Sequence, residues 1–359
     1  MPTKEQILKA LSSCIEPELG KDIVSLEMVQ NLTVENGTVR FDYRLTTPAC
    51  PLKERMEREA RAALEKVSGI TSVEINMVSD VKQDVRLSQA LPPGVKNLVA
   101  VGSGKGGVGK SSVAANLAVS LAREGARVGL MDADVYGPNQ PQMFGIHDYV
   151  PEADGENKIT PPENHGVKVF SMGFLMKADQ PAIWRGPMLH GAIQQFLKDV
   201  RWGELDYLII DLPPGTGDVQ LSLCQSVPLV GAVVVSTPQS IALSDVRKAV
   251  AMFKKMNVPI LGLVENMSEF VCPNCRTVTP IFKKAGAREL ADEHRIPFLG
   301  EIPLDPAVCL AAENGTPAVL VDPNSPTSTA LRSVARQVAA QVSLQNHNRK
   351  QLKVDLVAQ

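Results

Sequence analysis

The stretch LVAVGSGKGGVGKSSVAANLA, residues 98–118, decides the fold of this chain. It begins with an apolar run of strand type, continues through a glycine-rich turn and leads into a helical segment rich in Ala and Leu. A strand, loop and helix carrying Gly104-x4-Gly109-Lys110-Ser111 form the Walker A pattern. Glycines let backbone N–H groups turn towards phosphate oxygens, and the helix N-terminus adds positive charge. The stretch therefore predicts a site for nucleotide phosphates.

The loop residues have distinct predicted roles. We expect Lys110 to reach the terminal phosphates and the Ser111 hydroxyl to bind Mg²⁺. The predicted phosphate-binding residues are Gly104, Lys105, Gly106, Gly107, Val108, Gly109, Lys110, Ser111 and Ser112. The same loop contains Gly102-x-Gly104-x-x-Gly107, a dinucleotide fingerprint, but that pattern does not require the Lys-Ser pair. A nucleoside triphosphate is therefore the favoured ligand.

Composition limits the other classes of function. The chain has 359 residues, 44% of them hydrophobic, and a formal net charge of −2. This length favours one large domain and a smaller one, and the charge gives no argument for a nucleic-acid partner. Because residues 1–20 lack a signal-peptide pattern and no stretch resembles a membrane span, we expect a cytoplasmic protein without a membrane partner. Six dispersed cysteines favour a metal or redox role over disulfides.

The patterns predict two domains. Residues 1–85 form a small α/β domain, 86–97 a linker, 98–345 a nucleotide-binding domain and 346–359 a mobile tail. The predicted elements of the first domain are helices at 4–13 and 51–67 and strands at 24–34, 38–45 and 73–78. Strand-like runs of the second fall at 98–101, 127–131, 167–171, 207–210, 232–235, 260–264 and 297–300. Because helical segments separate most of these runs, the fold is α/β, with a mostly parallel, doubly wound sheet.

Acidic residues follow two of these strands. Asp132 follows the second strand, and Asp211 ends the apolar run of a Walker B pattern. We expect both, with Ser111, to hold the Mg²⁺ shell, although Asp132 taken alone is also compatible with an ordinary strand-end acid. Residues 213–218, PPGTGD, predict a switch loop that senses the γ-phosphate. Its key residues are Pro213, Gly215 and Asp218.

Cys272-Pro273-Asn274-Cys275 predicts a second site. A Cys-x-x-Cys turn directs two thiolates at one soft metal or cluster. Because a full site needs four ligands, two per chain indicate a symmetric dimer that shares one site. A 4Fe–4S cluster and Zn²⁺ both fit, whereas a thioredoxin-type redox pair is disfavoured because this turn follows a late strand.

The loop also resembles a known class. Lys105, early in Lys105-Gly106-Gly107-Val108-Gly109-Lys110-Ser111, is similar to the second lysine of the deviant Walker A found in MinD/ParA/Mrp ATPases. The resemblance implies that Lys105 reaches the partner's nucleotide, which with Lys110 makes two catalytic lysines. It also implies that Asp134 activates the attacking water and that Asn266 contacts adenine. A solvated lysine and a loop-capping asparagine are the alternatives.

Two phrases near the start, CIEPELG at 14–20 and TTPACPL at 46–52, resemble the iron–sulfur assembly domain that precedes Mrp-type ATPases. The resemblance implies that Cys50 is reactive or metal-associated. Cys50 also lies just before a predicted helix, whose dipole would lower the thiol pKa. A small buried apolar residue is the alternative interpretation of Cys50.

Together these motifs resemble the Mrp/ApbC family of iron–sulfur cluster carrier ATPases over nearly the whole chain. The resemblance implies a homodimer that binds a labile 4Fe–4S cluster between its Cys-x-x-Cys pairs. It further implies slow hydrolysis of ATP, a donor scaffold and delivery of the cluster to apo-proteins. Two alternatives are a MinD/ParA-type positioning switch and a dimeric scaffold bridged by structural zinc.

Overall fold

The computed structural model describes residues 2–87, 92–175, 186–217, 220–221, 223–224 and 227–357. One residue predicted to be functional, Asp218, lies outside them. The chain divides into two units. The first comprises Met1–Lys82 with Ser343–Gln359, and the second comprises Gln83–Val342. No helix in the described ranges is both long and apolar enough to cross a membrane.

The first unit is a small α/β fold. Its elements in chain order are α1 (Lys4–Leu11), β1 (Ile15–Glu16), β2 (Lys21–Asp22), β3 (Val29–Glu35), β4 (Thr38–Leu45), α2 (Lys53–Leu64) and β5 (Ser72–Ser79). A three-stranded sheet has the order β3-β4-β5, with β3 antiparallel and β5 parallel to β4. Strand β4 alternates buried and more exposed residues, so one face packs in the core with apolar residues of α1 and α2.

The second unit is built on a large sheet. Its strands are β6 (Leu98–Ser103), β7 (Val128–Asp132), β8 (Glu163–Asn164), β9 (Val167–Ser171), β10 (Tyr207–Asp211), β11 (Gly231–Ser236), β12 (Ile260–Val271), β13 (Val278–Thr279) and β14 (Phe298–Leu304). The order is β13-β12-β11-β6-β10-β7-β9-β8, and β14 also pairs with β12. All neighbours are parallel except β13 and β8. The predicted parallel sheet is therefore confirmed.

Helices connect these strands. They are α3 (Lys110–Arg123), α4 (Gln140–Met143), α5 (Gly186–Asp199), α6 (Ser240–Lys255), α7 (Gly286–His294), α8 (Pro306–Glu313), α9 (Ala318–Val321) and α10 (Pro326–Val357). A short 3-10 helix, Met172–Leu175, follows β9. The strands β6, β7, β10 and β11 are buried along their whole length, as expected for parallel strands covered on both faces.

The register brings the predicted acids together. Asp211 of β10 lies opposite Asp132 of β7 on one side and Val101 of β6 on the other. Asp132 in turn lies opposite Ser171 of β9. Because the carboxyl ends of parallel strands meet at one edge, the phosphate loop after β6 and these side chains share that edge.

Three boundaries differ from the sequence-based expectations. Strand β12 was expected to end at residue 264 but continues to Val271, because its outer part pairs with β13 and β14. Helix α10 continues through the predicted tail to Val357, and the side chain of Asn346 in that part donates to the Lys82 carbonyl. In the predicted linker, Leu87 and Val95 are buried. In each case a tertiary contact orders residues whose local pattern is weak.

Candidate functional site

The phosphate loop requires glycine at two positions. Gly109 has φ of 80° immediately before α3, and a Cβ there would collide with the Asn266 side-chain nitrogen. A Cβ on Gly104 would collide with the backbone of Asp245. Positive φ and close backbone approach are the two conditions that favour glycine. The loop therefore holds its shape through contacts with elements distant in sequence.

Lys110 lies at the start of α3 and is buried. Its Nζ is 2.5 Å from Oδ1 of Asp211, 3.8 Å from Oδ2 of Asp134 and 3.2 Å from Oγ of Ser111. These contacts confirm that the structure brings the Walker A lysine and serine to the Walker B acid. A buried ammonium group is stable when it is paired and hydrogen-bonded in this way.

Gln140, which the sequence analysis missed, completes the cluster. Its side-chain nitrogen donates to Oδ2 of Asp211 at 2.8 Å and to the Ser111 carbonyl at 3.0 Å. Its backbone N–H donates to Oδ2 of Asp132 at 3.2 Å, and the Ser171 hydroxyl donates to the same oxygen at 2.9 Å. A glutamine and a serine outside any motif carry no sequence signal for this role; only the register of the sheet reveals it.

The acids of the cluster have perturbed pKa values. Burial, and secondarily the neighbouring Asp211 carboxylate, raises the pKa of Asp132. Burial also raises the pKa of Asp134, an effect that the Lys110 ammonium opposes. Asp134 uses Oδ1 to accept the backbone N–H groups of Tyr136 and Gly137, each at 3.3 Å. A divalent cation among these carboxylates would offset their burial and mutual repulsion, lower their pKa values and favour their charged forms.

The residues fit Mg²⁺ and phosphates. Oε1 of Gln140 is buried without a hydrogen-bond partner, on the side chain whose nitrogen contacts Asp211 and the Ser111 carbonyl. Mg²⁺ prefers oxygen donors and needs only one or two carboxylates beside the phosphates, so Ser111 and Asp211 suit it. Among the predicted residues, Gly106 and Gly107 are exposed and Lys105 is half-buried, with its carbonyl accepting from the Ser103 hydroxyl at 2.9 Å.

The predicted switch loop lies against the phosphate loop. The N–H of Gly215 donates to the Ser103 carbonyl at 3.1 Å, and the Pro213 carbonyl accepts from the Gln220 side chain. Gly215 has φ of 90°, which is a left-handed conformation. The first part of the loop is therefore tied by its backbone to the strand that carries the phosphate loop.

A cavity of about 700 Å³ continues from the phosphate loop. Gly109, Ser112 and Asn266 line its inner end. The Asn266 side chain donates to the Val108 carbonyl at 2.9 Å, which orients the amide. The rest of the wall is mostly apolar and includes residues at 302–304. Its size and apolar lining suit a nucleobase and sugar next to bound phosphates.

The cysteine pair lies on a hairpin between β12 and β13. Cys272 is half-buried and Cys275 is exposed. The N–H of Cys272 donates to the Thr277 carbonyl at 3.0 Å, and the N–H of Arg276 donates to the Cys272 carbonyl at 2.9 Å. Sγ of Cys275 lies 3.2 Å from Oγ1 of Thr277, and this contact, followed by the Thr277 N–H, lowers the pKa of Cys275 to about 7. At neutral pH a substantial fraction of this thiol is therefore the thiolate, which is the form that binds metals.

The structure contradicts the expectation for Cys50. The thiol is 8% exposed, and burial raises its pKa to about 11. Backbone N–H groups at Leu52 and Lys53, where α2 begins, do lower this pKa, but burial dominates. The prediction of a lowered thiol pKa is wrong because sequence position before a helix does not report burial. Cys50 instead packs in the hydrophobic core.

The parallel sheet, the glycine loop before α3 and the Lys110–Asp211 pair define the class of protein: a P-loop NTPase. Residues 94–339 match the family model described as NUBPL iron-transfer P-loop NTPase. Residues 4–77 match the model described as iron–sulfur cluster assembly protein. The chain belongs to the iron-transfer P-loop NTPase family.

Known proteins agree with this assignment. The chain is 52% identical over 340 residues to the iron–sulfur cluster carrier protein of Deinococcus radiodurans, covering 95% of this chain and 96% of that protein. It is 38% identical over 340 residues to the Escherichia coli K12 protein of the same name, covering 94% of this chain and 92% of that protein.

Two solved structures share the fold of the second unit. A nucleotide-binding protein of Archaeoglobus fulgidus in complex with ADP is 40% identical with a TM-score of 0.57, covering 65% of this chain and 90% of that one. The cell division ATPase MinD of Pyrococcus furiosus is 28% identical with a TM-score of 0.50, covering 67% of this chain and 98% of that one.

Proposed function

We propose that this chain is an ATP-dependent carrier of 4Fe–4S clusters that works as a homodimer in the cytoplasm and passes clusters from a donor scaffold to apo-proteins. The observation that carries the proposal is that a single unit contains both a P-loop acid cluster and an exposed Cys-x-x-Cys hairpin. A positioning switch would need the first feature but not the second.

ATP hydrolysis follows from the cluster around Lys110. With ATP bound, Lys110 would exchange its contact with Asp211 for the terminal phosphates, and Ser111, Asp132 and Asp211 would hold Mg²⁺. The metal would neutralise charge on the phosphate oxygens. Asp134 orients the attacking water and takes its proton as the water oxygen bonds to the γ-phosphorus and ADP leaves. Lys105 of each chain reaches the partner's nucleotide.

Adenine recognition is assigned to the cavity next to the loop. The side-chain oxygen of Asn266 can accept from the exocyclic amine of adenine, and the hydrogen bond from its nitrogen to the Val108 carbonyl fixes the orientation of the amide.

The cluster is the cargo. Within the described residues, no His, Asp, Glu or further Cys side chain joins Cys272 and Cys275 in a group of three or more that could hold a metal. Cys272 and Cys275 therefore supply two ligands, and a second chain supplies the other two. The exposed position of the hairpin suits a site that must be shared and then emptied.

The decisive experiment is anaerobic reconstitution with iron and sulfide. Wild type is compared with the Cys272→Ser/Cys275→Ser variant by visible absorption, bound iron and sulfide, and oligomeric mass. We expect a cluster on a wild-type dimer and none on the variant. Tightly bound zinc without a cluster on wild type would favour the structural scaffold instead.

A second experiment separates the two sites. Lys110→Ala is expected to reduce ATP hydrolysis by about 100-fold or more, because a preorganised charge on the transferred phosphate is lost. Cluster binding should remain, while transfer should become independent of nucleotide. Lys254→Ala, on an exposed position of α6, is the matched control. If Lys110→Ala and wild type transfer clusters with the same dependence on nucleotide, the proposed coupling of ATP hydrolysis to cluster transfer is contradicted.

A further inference from the structure

Two cavities share one wall. The cavity next to the phosphate loop includes Phe270 and residues 303–306. A second cavity of about 170 Å³ is lined by the same residues and, on its other side, by Cys272 and Arg276. Ile281, on the far side of the cysteine hairpin, also lines the first cavity. Side chains from both sides of the hairpin therefore face the space assigned to the nucleoside.

The hairpin is attached to the sheet at two closely spaced points. The buried Glu265 side chain accepts the N–H of Ala285 at 3.1 Å and of Ala287 at 2.7 Å, which fixes the start of α7 to β12. Pairing of β12 with β11 ends at this same Glu265. Residues 266–284, which carry both cysteines, therefore lie beyond the end of the β11 pairing and return to the sheet beside Glu265. Within them β12 is paired with β14 at Asn266 and Phe270.

The backbone is irregular at both attachment points. Met267 has φ of 57° and Ala285 has φ of 63°, both left-handed conformations that are uncommon for residues other than glycine. The register of β12 against β14 also shifts between Asn266 and Phe270. Hinges are commonly a few residues of this kind at the ends of regular elements. Met267 and Ala285 thus lie at the two ends of the segment, and one further left-handed residue, Arg276, lies at the cysteine turn within it.

We propose that residues 268–284 form a flap, hinged at Met267 and Ala285, whose position is set by contact of the bound nucleoside with Phe270 and Ile281. Through the flap, a bound nucleotide changes the position of Cys272 and Cys275 by contact, in addition to any effect through the switch loop. That a nucleoside occupies the cavity rests on the proposed function, whereas the flap and its two contacts rest on the residues that line the cavity.

Thiol labelling of the cluster-free chain tests this inference. Each cysteine is labelled with a bulky maleimide, with and without saturating MgADP or MgATP, and quantified by peptide mass spectrometry. Cys309 lines the nucleoside cavity, so its protection reports occupancy in every variant. In wild type we expect nucleotide to protect Cys309 and to change the labelling rate of Cys275 by about fivefold or more.

In the Phe270→Ala/Ile281→Ala variant, saturating nucleotide should still protect Cys309. The change that nucleotide causes in the labelling rate of Cys275 should fall to about twofold or less. Val308→Ala, on the same cavity but outside the flap, is the matched control: its affinity for nucleotide should fall while the Cys275 response at saturation persists. If the double variant does not fold, Ile281→Ala alone serves, since that side chain is 49% exposed.

The inference is overturned if the flap variants, at full nucleotide occupancy, keep the wild-type change in the labelling rate of Cys275. It is also overturned if wild type shows no such change or does not bind nucleotide. Because the assay uses no iron or sulfide, its outcome is separate from the carrier proposal. A cluster on wild type without a labelling response would reject the flap alone. A labelling response without a cluster would reject the carrier alone.

Discussion

The core of the first unit and the cysteine hairpin of the second unit give their thiols opposite environments. In the first unit Cys14 and Cys50 are buried, and burial raises the pKa of both thiols. In the second unit Cys275 is exposed on a hairpin, and hydrogen bonds from Thr277 lower its pKa to about 7. Both Cys50 and Cys275 have backbone N–H donors nearby, so donors alone do not make a thiol reactive. The difference is whether solvent also reaches the sulfur.

The largest effect is expected in alkylation rates. At pH 7 a pKa of about 7 leaves about half of Cys275 as thiolate, whereas a pKa of about 11 leaves roughly one part in ten thousand for Cys50. The greater nucleophilicity of the more basic thiolate offsets part of this ratio, so iodoacetamide should label Cys275 about 50- to 100-fold faster. Site-resolved mass spectrometry measures the ratio.

The pH dependence checks the cause of that ratio. Between pH 7 and pH 9 the thiolate fraction of Cys50 rises about 100-fold, while that of Cys275 only about doubles. The ratio of labelling rates should therefore shrink as pH rises. A ratio that stays constant over this range would mean that steric access, not thiol pKa, separates the two cysteines.

An intermediate effect is expected on stability. Cys50→Ala removes a buried side chain from the core of the first unit and should lower the free energy of unfolding by about 1–2 kcal/mol. Cys275→Ala, at an exposed position, should leave it unchanged. Urea denaturation of the cluster-free chain measures both. Equal losses for the two variants would remove the contrast between core and hairpin thiols.

The smallest effect is expected from Thr277→Val. Removing the hydroxyl raises the pKa of Cys275, because that hydroxyl makes the largest contribution to the lowered value, while the backbone N–H donor remains. Alkylation of Cys275 at pH 7 should slow by about two- to threefold. Thr279→Val, also exposed and in the same hairpin, is the control and should not change the rate.

Much of the nucleotide site could be predicted from sequence. Lys110, Ser111 and the acids at the strand ends lie together as expected, because their positions depend on local strand–loop–helix patterns. Gln140 and Ser171 could not be predicted, since their roles arise from the order of strands in the sheet. The continuation of β12 was missed for the same reason: polar residues after position 264 become strand only by pairing with β13 and β14.

By itself the sequence determined the phosphate loop, the parallel α/β sheet and a pair of cysteines suited to a soft metal. These features follow from the spacing of glycine, apolar and ligand residues along a short stretch of chain. Tertiary structure alone decided which thiols meet solvent, which side chains complete the acid cluster and how close the hairpin lies to the nucleoside cavity. Burial and contact depend on residues far apart in sequence, so no local pattern reports them.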